Sequence, residues 1–209
     1  MSMNGGITQD TPRRIAFGAG VFFNGVTYSE TAAPTEEEIV AGLIGATQEG
    51  GKVTITAELF EPDLNGKTVS VAELIQKIGE TAIMETSYVE LTAEMIARSV
   101  IGAIKDSTDK KYDVITSSEL RKGHFFEGFG YYGTLLDGRP LIIVFKKALC
   151  TNGFGYEGKN KENTKIAATI ECKSDLEYGI TKLPYAIFIH KESGWTAVAP
   201  EDIHEATEA

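Results

Sequence analysis

Two stretches of this sequence match a glycine pattern that elsewhere binds dinucleotides. The pattern G-x-G-x-x-G occurs at Gly128–Gly133 and again at Gly153–Gly158. A dinucleotide site needs this turn between a strand and a helix, because the helix N-terminus receives the pyrophosphate. Neither stretch precedes a segment with helical periodicity. We therefore interpret both as glycines beside aromatic residues in strands and loops.

The aromatic residues around these glycines suggest a second chemistry, which is stacking against sugar rings. Aromatic side chains that stay exposed offer flat apolar faces with a polar edge in the case of tyrosine. A carbohydrate-binding module built on a β-sandwich is therefore an alternative hypothesis. Its stacking surface would use Phe126, Phe129, Tyr131, Tyr132 and Tyr156.

Residues that bind metals or carry out catalysis are scattered along the chain. The three histidines lack the spacing of paired metal ligands, and two cysteines are too few for a zinc site or a disulfide framework. Residues 61–66 resemble a calcium loop, but alanine occupies the twelfth position counted from Glu61, so a turn is predicted. No serine or cysteine lies in a nucleophile elbow. We predict no enzyme, no cofactor and no metal, while a hydrolase with an acid pair stays a third hypothesis.

The charge balance is acidic, with 30 Asp and Glu against 20 Lys and Arg and a net charge of −10. A nucleic-acid binder would present a basic face, which this composition does not indicate. An acidic surface repels phosphate groups, so DNA can pass it without being held. No apolar run is long enough to span a bilayer, and the first residues lack the apolar core of a secretion signal.

The elements of the chain are organised around residues 79–104. The run Thr81–Leu91 is rich in strand-forming residues, with apolar groups on both parities, which indicates a strand that is covered on both faces. The pattern changes to a helical period at Thr92, a good N-cap. One apolar helical stripe is predicted from Ala93, Ile96, Ala97, Val100, Ile101 and Ile104.

The remainder of the chain reads mainly as short strands. The clearest hairpin signal is Asp137-Gly138, between apolar runs at 125–136 and 141–149. Further strands are predicted at 14–23, 52–60, 112–116, 164–173 and 184–190. Because these runs follow one another with short turns, the sequence predicts a mainly β (α+β) fold. We expect an antiparallel β-sandwich or barrel with one principal flanking α-helix.

We expect a single domain over residues 1–191, with an N-terminal arm at 1–12 and a mobile tail at 192–209. A long connection at 30–51 contains a capping box, with Thr35 as N-cap and Glu38 at the third helical position. Long connections of this kind often contact a partner. The residues expected at a contact between subunits are Ile39, Val40, Leu43 and Ile44 of this connection, together with Tyr88.

Three stretches together resemble the major tail protein, or tail tube protein, of long-tailed bacteriophages and prophages of Gram-positive bacteria. They are TPRRIAFGAGVFFNGV, LIGATQEGGKVTITAELFEPDLNG and GETAIMETSYVELTAEMIARSVIGA. The later NKENTKIAATIECKSDL and LPYAIFIHK are similar to the closing strands of that family. The resemblance lies in the order of the elements and in the general pattern of residue types, and it extends to about Lys191.

The resemblance implies two packed antiparallel sheets with a flanking helix. It implies a ring of subunits, of hexameric order, stacked into a tube through which DNA leaves the capsid. The implied partners are copies of the chain itself, the tape-measure protein, the tail terminator and the tail tip proteins, with no membrane. The implied location is the virion tail, after assembly in the host cytoplasm. A tube subunit of a related contractile injection device of the type VI kind is the nearest alternative.

A tube that conducts DNA needs a lumen that does not bind phosphate. The carboxylates chosen for that lumen are Glu85 and Glu90, on and beside the central strand. A closed ring also needs two different surfaces on each subunit, because its interfaces are heterologous.

Overall fold

The computed structural model describes residues 15–90, 92–156 and 165–191. The predicted arm at 1–12 and the predicted tail at 192–209 lie outside these residues. The helices are α1 (Glu36–Ala41) and α2 (Ala93–Val100), with short 3₁₀ turns at Ala72–Leu74 and Lys122–His124. The strands are β1 (Ala16–Phe23), β2 (Thr47–Phe60), β3 (Gln76–Tyr88), β4 (Gly102–Asp106), β5 (Asp113–Ser117), β6 (Phe126–Leu135), β7 (Pro140–Cys150), β8 (Ile166–Cys172) and β9 (Tyr185–Ile189).

Seven strands form one antiparallel sheet in the order β1-β6-β7-β8-β3-β2, and β9 pairs with the first half of β7. Strands β4 and β5 form a separate two-stranded sheet. The Asp137-Gly138 turn joins β6 and β7 as the sequence predicts, with Gly138 at φ 86°. The prediction of a mainly β, antiparallel fold with few helices is confirmed.

The large sheet curls so that β1 and β2, at opposite ends of its strand order, approach each other. The amide of Ile44 donates to the carbonyl of Phe22 over 3.2 Å, and Phe23 bridges to Leu43. The ring of Phe22 lies over Gly51, where a side chain would collide with it. The principal core fills the inside of this curl. Its buried members are Phe22, Ala82, Met84, Tyr88, Phe126, Phe129, Ile143, Phe145, Ala148, Cys150, Ala168, Ile170 and Cys172.

A second, smaller core lies on the other face of β7, under the connection that follows β1. Ile39 of α1 is buried there against Phe23, Val26, Ile142 and Val144. Helix α1 starts as predicted, because Thr35 accepts the amide of Glu38 and Glu38 accepts the amide of Thr35. The predicted long connection is shorter than expected at its end, since β2 already starts at Thr47.

The predicted helical stripe is wrong beyond Val100. Ile101 adopts the left-handed conformation (φ 54°, ψ 52°) and ends α2. Ile104 therefore belongs to β4, where it pairs with Ile115. An apolar residue every three or four positions fits a helix, but the same residues also suit a strand that pairs with β5.

Candidate assembly surface

Strands β2 and β3 extend beyond the sheet that contains them. They pair with each other from Thr47–Tyr88 to Phe60–Gln76. Strand β8 covers β3 only from Ile83 to Tyr88. Residues 56–81 therefore form a two-stranded projection with a 15-residue loop, 61–75, at its tip. We call residues 56–81 the ribbon.

The ribbon continues the apolar alternation of β2 beyond the residues that pack against the principal core. Val53 and Ile55 of β2 pack against the principal core. On the same parity, Ala57 is exposed and Leu59 is 62% exposed. Ile78, in the facing strand, is 58% exposed. Further exposed apolar residues of the ribbon are Phe60, Leu64, Val69 and Ile75.

The loop of the ribbon is held by one carboxylate. Glu61 pairs with Lys67 over 2.7 Å, accepts the amide of Val71 over 2.7 Å and accepts the hydroxyl of Ser70 over 2.8 Å. The Lys67 ammonium and these donors lower the pKa of Glu61 to about 2. The stretch that resembles a calcium loop is thus a turn closed by internal hydrogen bonds.

The base of the ribbon is fixed to the rest of the chain by Glu80. Its carboxylate accepts the Tyr185 hydroxyl over 2.8 Å and the Leu183 amide over 3.4 Å, and it pairs with Lys77 over 2.8 Å. Burial raises the pKa of Glu80, but these donors outweigh burial and leave its pKa below the ordinary value. The ribbon is therefore braced at both ends.

Strand β2 also has an open edge. It is the last strand in the order of the large sheet, and within the described residues its only strand partner is β3. An unpaired edge offers backbone donors and acceptors to a strand of another chain. Open edge and exposed apolar residues lie on the same ribbon, so this region combines the two features on which a protein interface depends.

The five residues predicted for a contact between subunits divide into two groups. Ile39 and Tyr88 are each 4% exposed and pack inside the chain, and Ile44 packs partly against the principal core. Val40 is 60% exposed and Leu43 is 48% exposed. Of the five, only Val40 and Leu43 are exposed enough to contact another molecule. Their role in a contact stays a prediction.

The two carboxylates predicted for a lumen both lie at the surface. Glu85 projects from the face of β3 opposite Met84 and pairs with Lys52 of β2 over 2.8 Å. Glu90 is exposed just after β3, and its carboxylate lies beside Gly45. The structure brings both to the region where β2 and β3 pair, but it does not test whether they face a channel.

The aromatic residues proposed for sugar stacking do not form an exposed platform. Phe126 and Phe129 are buried and pack against each other with ring centroids 5.2 Å apart. Tyr131 and Tyr132 are partly buried, and Tyr156 is exposed on a different segment. Buried rings cannot stack on a ligand, so this arrangement does not favour a carbohydrate-binding module.

Sequence reasoning did not find the ribbon. The alternation Val53, Ile55, Ala57 and Leu59 predicts one half-buried strand and does not show where burial stops. One signal was present: Leu59 and Phe60 are consecutive large apolar residues at the end of the strand, so their side chains point to opposite faces and cannot both enter the same core.

No group of three or more potential metal ligands comes together among residues 15–90, 92–156 and 165–191. In the same part of the chain, no helix is both long and apolar enough to cross a bilayer.

No protein-family model matches the sequence, and no curated protein matches it. Among solved structures, the fold is similar to a chain described as "Virion of native gene transfer agent (GTA) particle". The TM-score is 0.38 and the identity 9%, over 82% of this chain and 95% of that chain. A likeness at this level does not assign the chain to a family.

Proposed function

We propose that this protein is the structural subunit of a phage or prophage tail tube. The ribbon is the observation that carries the proposal, because it holds exposed apolar residues in a braced position next to an open strand edge. The resemblance of the sequence to tail tube proteins gives the same function. Under this proposal the chain carries out no reaction of its own and needs no cofactor.

Exposed apolar residues are common on monomers when they are scattered, but clusters on a projecting element mark interaction sites. Leu59 and Ile78 lie on facing strands of the ribbon, where Leu59 pairs with Lys77 and Ile78 falls at the adjacent register shift. The hydrogen bonds of Glu61 and the contacts of Glu80 hold the ribbon in place, which argues against the ribbon being a mobile loop. A rigid apolar projection loses little conformational entropy when a second copy covers it.

A ring closes when one surface of a subunit binds a different surface of the next copy. The ribbon supplies one such surface, and the exposed Val40 and Leu43 beside β1 are our choice for part of another. We propose a ring of hexameric order that stacks into a tube around a tape-measure protein, between terminator and tip proteins. Glu85 and Glu90 are the carboxylates proposed to face the passing DNA.

The test is self-assembly of the purified full-length chain over a wide range of concentration. Light scattering after size exclusion measures the mass of the particles, and negative-stain electron microscopy shows whether they are rings or tubes. We expect closed rings or stacked tubes with a central channel. A chain that stays monomeric at every concentration, also after addition of a tape-measure fragment, would refute the proposal.

A further inference from the structure

Three Asn-Gly pairs lie in the described part of the chain, at Asn24, Asn65 and Asn152. Glycine after asparagine leaves the backbone nitrogen sterically open, because glycine has no Cβ. That nitrogen can attack the side-chain amide carbon of asparagine when both groups are free to move. The three pairs have the same chemistry, so the fold decides which of them reacts.

At Asn24 the fold holds the attacking nitrogen in place. The amide of Gly25 donates to the carbonyl of Glu127 over 2.9 Å. The amide of Asn24 itself donates to the carbonyl of Gly42 over 2.8 Å. The side-chain oxygen of Asn24 is buried. Reaction at this position requires the segment to leave its contacts with β6.

At Asn152 the fold holds the side chain. Its Oδ1 accepts the amide of Thr169 over 3.0 Å, and its Nδ2 donates to the carbonyl of Ala167 over 2.7 Å. The Asn152 side chain thus pairs with the edge of β8 as a strand would. Both hydrogen bonds must break before the amide carbon can turn toward the nitrogen of Gly153.

Asn65 has neither restraint. It lies at the tip of the ribbon in a turn closed by the Lys67 amide and the Leu64 carbonyl over 3.0 Å. Gly66 has φ 88° and Asn65 does not have a positive φ, which defines a type II turn. The Asn65 side chain is exposed, and within the described residues neither it nor the Gly66 amide has a hydrogen-bond partner.

We propose that Asn65 is a site of spontaneous modification in the folded protein. The Gly66 nitrogen forms a bond to Cγ of Asn65, the Cγ–Nδ2 bond breaks, and ammonia leaves with the proton of the attacking amide. Water then opens the five-membered imide at either carbonyl. The products are aspartate and isoaspartate, and no oxidant or reductant is consumed.

The modification places a new carboxylate on a ribbon tip that already holds Glu61 and Asp63. Isoaspartate also lengthens the backbone by one methylene within the turn. The inference does not rest on the proposed function, because it depends only on the free ribbon. If the ribbon is an interface, the added charge acts against assembly, and assembly in turn protects Asn65.

The experiment incubates the full-length folded chain in mildly alkaline buffer and follows each Asn-Gly peptide by mass spectrometry, with isoaspartate resolved chromatographically. We expect Asn65 to convert at least about tenfold faster than Asn24 and Asn152. This factor corresponds to a free energy of about 1.4 kcal/mol for the local unfolding that Asn24 and Asn152 need before they can react. In denaturant the three rates should converge, which serves as the control.

Equal rates in the folded protein, or faster conversion of Asn24 or Asn152, would overturn the proposal. Asn65→Gln gives a matched variant that keeps the amide but lengthens the side chain, and it should abolish the mass increase of this peptide alone. A self-assembly measurement on the same samples separates the two proposals, since Asn65 should react in a monomer even if no tube ever forms.

Discussion

The double substitution Leu59→Thr with Ile78→Thr tests whether the ribbon is an assembly surface. Full burial of a leucine or isoleucine side chain contributes roughly 1.5–3 kcal/mol. Leu59 is 62% exposed and Ile78 is 58% exposed. Covering the exposed part of each side chain is therefore worth about 1–2 kcal/mol. Threonine keeps a strong preference for strands and removes most of this apolar surface.

The two substitutions together should weaken each contact by about 2–3 kcal/mol, which corresponds to roughly 30- to 150-fold in the association constant. The free energy of unfolding of the monomer should change by less than about 0.5 kcal/mol per site, since both side chains are exposed. The loss should thus appear in assembly and not in thermal stability.

Analytical ultracentrifugation over a concentration series measures the association, and thermal unfolding monitored by circular dichroism measures the stability. The control is Ile104→Thr with Val114→Thr, which removes two exposed apolar side chains (45% and 39% exposed) from the separate β4–β5 sheet. We expect the control to assemble like the unmodified chain. The reasoning is refuted if the ribbon variant assembles at the same concentration as the unmodified chain, or if only the control loses assembly.

Three further predictions concern the parts that hold the ribbon and the sheet. The pKa of Glu61 lies at about 2 in the folded chain, below its ordinary value near 4.5. The stabilisation of the ribbon loop by the ionised carboxylate is therefore fully present above pH 4.5 and is lost as the pH falls toward 2. Glu61→Gln should accelerate amide exchange in the loop at neutral pH and remove this pH dependence, and unchanged exchange would contradict the role of Glu61. Gly128→Ala should lower the free energy of unfolding by more than about 3 kcal/mol, because Gly128 has φ 63° and a Cβ would lie 1.8 Å from the carbonyl oxygen of Val26. Chemical denaturation measures this loss, and a variant of unchanged stability would contradict the contact. Tyr185→Phe removes the hydrogen bond that the Tyr185 hydroxyl donates to Glu80 and should lower the free energy of unfolding by about 1–3 kcal/mol in the same denaturation assay. Unchanged stability would contradict the role of this hydrogen bond.

The fold class followed from the sequence because local patterns report local structure. Alternating apolar residues and the Asp137-Gly138 turn predict β6, β7 and β8 close to their observed bounds. The Thr35–Glu38 capping box predicts the start of α1, since both partners lie within one helical turn. The end of α2 could not be predicted, because Ile104 suits a helix and a strand equally until β5 is present to pair with it.

The sequence by itself determined that this chain is acidic, mainly β and free of any recognisable catalytic pattern. Only the tertiary structure decided which apolar residues are covered. Ile39 and Leu59 are both large apolar residues of predicted elements, yet Ile39 of α1 is buried in the second core while Leu59 extends beyond the sheet. The physical reason is that burial depends on which strands lie alongside, and β8 ends before it reaches the ribbon.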